Sequence, residues 1–128
     1  MKRLLFLAVA AMILTACQES LEQRAQRTLK EYNDKNCPIQ LSETIIMDSC
    51  SFDVASHTLH YYYTLMGELD NDSTLNTGSM RQLLEEGLRN ETHTRIFKDA
   101  GYNFSYTYHS FSTPQKVLFE TTLTKEDY

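Results

Sequence analysis

Cysteine and histidine are the side chains of this sequence that could carry nucleophilic chemistry. The chain has 128 residues with three cysteines and four histidines. If a hairpin turned near Val54 and Ala55, His60 would lie opposite Cys50, and a thiol beside an imidazole can act as an activated nucleophile. Cys50 and His60 are therefore the candidate pair of a small hydrolase or thiol enzyme, which is the alternative to a non-catalytic protein.

Motifs for other chemistries are missing from the sequence. It contains no glycine-rich phosphate loop, no CxxC pair, and no HExxH or GxSxG motif. The histidines lie at irregular spacings, and His60 with His109 would form only half of a metal site. The sequence therefore predicts no catalytic residue, no metal site and no cofactor.

Tyrosine is the unusual residue type, with eight copies. Most of them fall on two predicted strands, and we expect these tyrosines to lie in the core with hydroxyls that reach the sheet edge. The functional interpretation is that one sheet face or its rim contacts a partner, because tyrosine and methionine are enriched at protein interfaces. This predicted binding face comprises His60, Tyr62, Met66, Asn103 and His109.

The first seventeen residues predict where the protein is located. Residues 1–3 (Met-Lys-Arg) are a positive start, and the unbroken apolar run of residues 4–14 is well short of the about 20 residues that span a bilayer. The following Leu14-Thr15-Ala16-Cys17 resembles the lipobox of bacterial lipoproteins. The resemblance implies removal of residues 1–16 as a signal peptide and a diacylglycerol thioether on Cys17. An ordinary secretory signal, with Cys17 kept as a thiol, is the alternative.

The resemblance to lipoproteins also implies a compartment. It places the mature chain in the bacterial cell envelope, anchored to a membrane through Cys17, and Gln18 is compatible with outer-membrane sorting in that family. In that oxidising space we expect Cys37 and Cys50 to form a disulfide. Closing a loop of about fourteen residues would stabilise the fold by about 3 kcal/mol.

Composition limits the domain count and the partners. The length and the 41% hydrophobic fraction are those of one globular domain, which we assign to residues 17–128 with a short tether at 17–20. The formal net charge is −5, and it becomes more negative once Lys2 and Arg3 are removed. This charge argues against nucleic acid as a partner.

Periodicity predicts an α+β fold. Helices are predicted over residues 18–33, from Ser79 onward and over 92–100, and strands over 44–52, 58–66, 102–109 and 116–123. The order helix, hairpin, helix, hairpin predicts a four-stranded antiparallel sheet with helices on one face.

Three local patterns resemble those of small uncharacterised bacterial lipoproteins and secreted proteins: Asn36-x-Pro38, three consecutive tyrosines at 61–63, and the alternating aromatics of 102–108. The resemblance implies no activity. We therefore predict a membrane-anchored envelope lipoprotein that acts as a non-catalytic binding, adaptor or inhibitor module for an envelope protein or a polymer. The alternatives to this module are the small hydrolase or thiol enzyme considered above and a structural subunit of an envelope assembly.

Overall fold

Helices cover one face of a five-stranded sheet in the computed structural model, which describes residues 18–128. The leader and Cys17 lie outside the described residues. The elements are α1 (Leu21–Asn36), β1 (Ile39–Gln40), β2 (Ile45–Asp53), β3 (Thr58–Leu65), a 3-10 turn (Gly67–Leu69), α2 (Thr77–Asn90), α3 (Arg95–Asp99), β4 (Asn103–Ser110) and β5 (Val117–Leu123).

Helix α1 begins at a capping box. The Ser20 side chain accepts a hydrogen bond from the Gln23 backbone N–H, and the Gln23 side chain accepts one from the Ser20 N–H. The helix buries Ala25 and Leu29 against the sheet. It continues to Asn36, three residues beyond the predicted end, so the polar residues that suggested a turn form its last turn instead.

The predicted four-stranded antiparallel sheet is wrong in two respects. The sheet has five strands in the order β1-β2-β3-β4-β5, and β3 pairs with β4 in parallel. The chain leaves β3, passes through α2 and α3, and returns to the end of the sheet where β3 begins, so β4 runs in the same direction as β3. The short β1, which pairs Ile39 with Met47, was missed because two residues carry no detectable periodicity.

The core lies between the sheet and the helices. Alternation along the strands sends one set of side chains towards the helices, which we call the inner face, and the other set to the outer face. Leu59, Phe104 and Leu123 are fully buried on the inner face and lie opposite one another in register. The outer face of β4 carries small polar side chains, such as Ser105 and Thr107.

Helix α2 begins earlier than the sequence predicted, and helix α3 begins later. Asn76, whose side chain accepts from the Ser79 backbone N–H, caps α2 in place of the predicted Ser79. In α3, Phe97 is buried, whereas Ile96 is exposed. Gly101, just after α3, has φ +76, a left-handed conformation that is typical of a helix ending. In residues 18–128, none of the helices is both long enough and apolar enough to cross a bilayer.

Candidate binding groove

A groove opens on the inner face between α1 and the segment 91–97, and its volume is about 590 Å³. We call it the tyrosine groove. Its walls are Thr28, Leu29, Tyr32, Glu91, His93, Thr94 and Phe97, and its floor is Met47, Leu59, Tyr61, Tyr63 and Tyr106. The groove exists because the helices do not cover the whole inner face. Helix α1 buries only Ala25 and Leu29 against the sheet, and α3 has only five residues.

The floor of the tyrosine groove is a set of stacked phenol rings. Tyr61 lies opposite Tyr106 in the parallel register with ring centroids 5.4 Å apart, and Tyr63 lies opposite Tyr108 at 4.6 Å. Such cross-strand aromatic pairs each contribute about 0.5 to 1.5 kcal/mol beyond the area they bury. The stacking therefore holds the rings in a fixed orientation beneath the groove.

The hydroxyls of three groove tyrosines have no protein partner. Within residues 18–128, no hydrogen bond connects the hydroxyl of Tyr61, Tyr63 or Tyr106 to another protein group. Tyr128 behaves differently, since its hydroxyl donates to the Tyr102 carbonyl oxygen at 2.7 Å. Among the described residues the buried side-chain polar atom without a partner is His109 Nδ1, so the three groove hydroxyls reach solvent and are available to water or to a ligand.

Burial keeps these hydroxyls protonated. It raises the pKa of Tyr61, Tyr63 and Tyr106 well above the ordinary tyrosine value, and the nearby negative charge of Glu91 raises all three further. Burial also raises the pKa of Tyr108 to about 12. At physiological pH the groove therefore presents neutral hydroxyls that can both donate and accept hydrogen bonds.

Alkaline titration tests this burial. Because the folded-state pKa values lie above the ordinary value of 10.0, we expect stability to be unchanged below that pH and to fall above it, by up to about 1.4 kcal/mol per pH unit for each buried hydroxyl. The phenolate absorbance of the folded protein at about pH 11 should remain below that of the denatured chain. Equal absorbance, with the circular dichroism of the folded protein intact, would show that the groove tyrosines are freely solvated.

The residues of the predicted binding face lie on the outer face, away from the tyrosine groove. His60 and Tyr62 stack there with ring centroids 6.1 Å apart, and His109 lies on the same face of β4. Asn103 and Met66 are at opposite ends of that face, because β3 and β4 are parallel. The Asn103 side chain is already engaged, since it donates to the Ser56 carbonyl oxygen at 3.2 Å. Partner binding by this face stays a prediction.

The proposed Cys50 and His60 dyad is not formed. Cys50 pairs with Tyr61 in the hairpin, whereas His60 pairs with Ser51. The hairpin turns one residue later than the dyad required, and a shift of one residue moves a side chain to the other face of the sheet. Cys50 therefore faces inward and His60 outward. In residues 18–128 no cluster of three or more His, Cys, Asp or Glu side chains could hold a metal ion.

The two remaining cysteines lie together but are not bonded. Both are free thiols, so the structure does not support the predicted disulfide. The thiols nevertheless lie near each other, because β1 returns along β2 directly after Cys37, and each thiol affects the pKa of the other. Burial, aided by Cys37, raises the pKa of Cys50 to about 11, and the Cys50 thiol donates to the Leu29 carbonyl oxygen at 3.4 Å.

Thiol counting tests the state of the pair. In the oxidising compartment that the lipobox resemblance implies, we expect the adjacent thiols to become a disulfide, so that neither Cys37 nor Cys50 reacts with an alkylating agent in denaturant until a reductant is added. Mass spectrometry of the chain purified from cells, with acid quenching, gives the count. Labelling of both residues without reductant would show that the pair remains reduced.

Residues 20–119 match the family described as Domain of unknown function (DUF8479). This chain belongs to that family. The DUF8479 match begins at the N-cap residue of α1 and ends within β5, so it includes every element that lines the tyrosine groove. No curated protein matches the chain.

Three solved structures share the fold of this DUF8479 protein. A Pseudomonas aeruginosa protein assigned as secreted has a TM-score of 0.67 at 15% identity, covering 86% of this chain and 98% of that chain. The type II secretion system pilotin AspS from Vibrio cholerae has a TM-score of 0.63 at 13% identity, with coverage of 84% and 92%. The type 2 secretion system pilotin EpsS from Vibrio vulnificus has a TM-score of 0.59 at 12% identity, with coverage of 84% and 90%. At these identities the likeness shows a common fold.

Proposed function

We propose that this DUF8479 protein is a lipid-anchored, non-catalytic adaptor of the bacterial envelope that holds another envelope protein in the tyrosine groove. The observation that carries the proposal is the groove itself. It combines an apolar surface, including Leu29, Met47 and Phe97, with three hydroxyls that have no hydrogen-bond partner within residues 18–128. Binding sites typically pair an apolar concave surface with a few polar groups of this kind.

Two further observations support an envelope adaptor. Two of the solved structures with this fold are pilotins of type II secretion systems, so the fold is used by components of secretion machinery. The sequence Leu14-Thr15-Ala16-Cys17 resembles a lipobox, and two or three acyl chains on Cys17 would hold the domain at a membrane without a basic surface. We place the anchor in the outer membrane, in keeping with Gln18.

Filling the groove tests this function. Thr28 is exposed on α1 at the wall of the groove, and Thr28→Trp would occupy its space. We expect the full-length lipidated chain, purified from detergent-solubilised envelopes, to retain a stoichiometric partner protein and to lose most of it in the T28W variant.

The matched control is Thr113→Trp, which places the same side chain on an exposed turn between β4 and β5. T113W should retain the partner. Equal retention by T28W and T113W would contradict binding in the groove, and it would favour the structural-subunit alternative, in which other surfaces make the contacts.

A further inference from the structure

Glu91 brings a negative charge to the tyrosine groove without a compensating cation. It directly follows α2, and its carboxylate accepts from the Thr94 hydroxyl at 3.4 Å. Within residues 18–128 no Lys, Arg or His forms an ion pair with this carboxylate, and the Lys98 ammonium donates to the Glu91 backbone carbonyl instead. Glu85 on α2 shows the contrast, because Arg81 pairs with it at 3.0 Å.

The rest of the groove is rich in acceptors and free of Lys and Arg. Tyr61, Tyr63 and Tyr106 line the same groove as Glu91, whose negative charge raises the pKa of all three hydroxyls. Around them the groove is apolar, with Leu29, Met47 and Leu59 contributing. A ligand that complements this surface must supply positive charge, several hydrogen-bond donors and apolar flanks.

We propose that the tyrosine groove receives an arginine side chain from an apolar segment of the partner protein, with the guanidinium paired to Glu91. This inference rests on the proposed function and names the chemistry of the partner. A guanidinium is always charged, offers five N–H donors in one plane and packs against aromatic rings, whereas an ammonium is a strongly hydrated point charge. An acidic segment would instead meet the charge of Glu91 and the net charge of −5 on the chain.

The ion pair between Glu91 and the arginine is expected to contribute more to specificity for the partner than to affinity. Glu91 is exposed, and an ion pair at an exposed site changes affinity by a factor of about two to five. The apolar surface that the segment buries supplies most of the remaining affinity, while the charge excludes wrong partners.

Site-specific crosslinking with a photoreactive phenylalanine analogue tests the inference in the full-length lipidated chain. The analogue replaces His93, which is exposed at the groove wall. Mass spectrometry of the adduct is expected to show a partner peptide with an arginine among apolar residues at the point of attachment. In this background Glu91→Gln should reduce the adduct by a factor of about two to five, since the amide keeps the size and the acceptor oxygen but not the charge. Glu86→Gln, on the exposed surface of α2, should leave it unchanged.

The outcomes separate this inference from the proposed function. A protein adduct whose attached segment lacks arginine, or whose yield is the same in E91Q and E86Q, overturns the arginine assignment and leaves the adaptor function in place. An adduct only with a glycan or with a second copy of this chain overturns the arginine assignment as well. If no adduct forms and the T28W variant still retains the partner protein, both the arginine assignment and the adaptor function are overturned.

Discussion

Replacing Cys17 with serine is expected to abolish membrane anchoring of this protein. Each acyl methylene buried in a bilayer contributes about 0.8 kcal/mol, so the loss of two or three chains removes a nearly permanent attachment. In wild-type cells we expect an N-terminal peptide that begins at Cys17 and carries lipid mass. In C17S cells we expect no lipid on residue 17, and most of the chain should leave the membrane fraction if the leader is removed by another route.

Cys37→Ser is the matched control for this substitution. It removes a thiol from the described part of the chain, where the side chain is half-buried, and leaves the lipobox intact. C37S should remain lipidated at Cys17 and membrane-bound. A wild-type N-terminal peptide without lipid would contradict the anchor, and the ordinary secretory alternative would then apply.

Replacing Phe104 with alanine should cause the largest loss of stability that a single core substitution can give here. Phe104 is fully buried on the interior strand β4, between Leu59 and Leu123 in register, and its ring meets that of Tyr128 edge-on at 5.6 Å. Truncation of a buried phenylalanine costs about 3 to 5 kcal/mol, a large share of the about 5 to 15 kcal/mol that holds a domain together. Urea denaturation of the full-length chain in detergent measures the change in the free energy of unfolding.

Phe111→Ala provides the comparison at a surface site. Phe111 follows β4 and is 61% exposed, so its truncation should change the free energy of unfolding by less than about 0.5 kcal/mol. If F104A lowered the free energy of unfolding as little as F111A does, the core would not be centred on β4.

Local patterns were sufficient to place the strands. The alternation of residues 58–66, 102–109 and 116–123 predicted β3, β4 and β5 to within one residue, because one face of each strand is buried. The parallel pairing of β3 with β4 could not be predicted in the same way. It depends on how the intervening helices return the chain across the sheet, which is a non-local property.

The candidate site was only partly predictable from the sequence. The expectation that most tyrosines lie in the core is confirmed, because Tyr106 and Tyr108 are buried and Tyr61 packs against them. The partner face, however, was predicted on the other side of the sheet. How far Tyr61 and Tyr63 are covered depends on how far the helices extend, and the small Ala25 and the short α3 leave both side chains partly exposed. The Cys50 and His60 hypothesis failed on a one-residue difference in turn position, which composition cannot resolve.

Hydroxyl-radical footprinting of the full-length chain tests the central claim, that the tyrosine groove is covered by a partner protein. It compares side-chain oxidation in intact envelopes with oxidation of the purified, partner-free chain. We predict that Tyr32 and His93 are oxidised several-fold less in envelopes, while Phe111 and Val117, which are exposed away from the groove, react equally in both. Equal oxidation of Tyr32 and His93 in the two samples, or protection of His60 and Tyr62 on the outer face instead, would contradict the account.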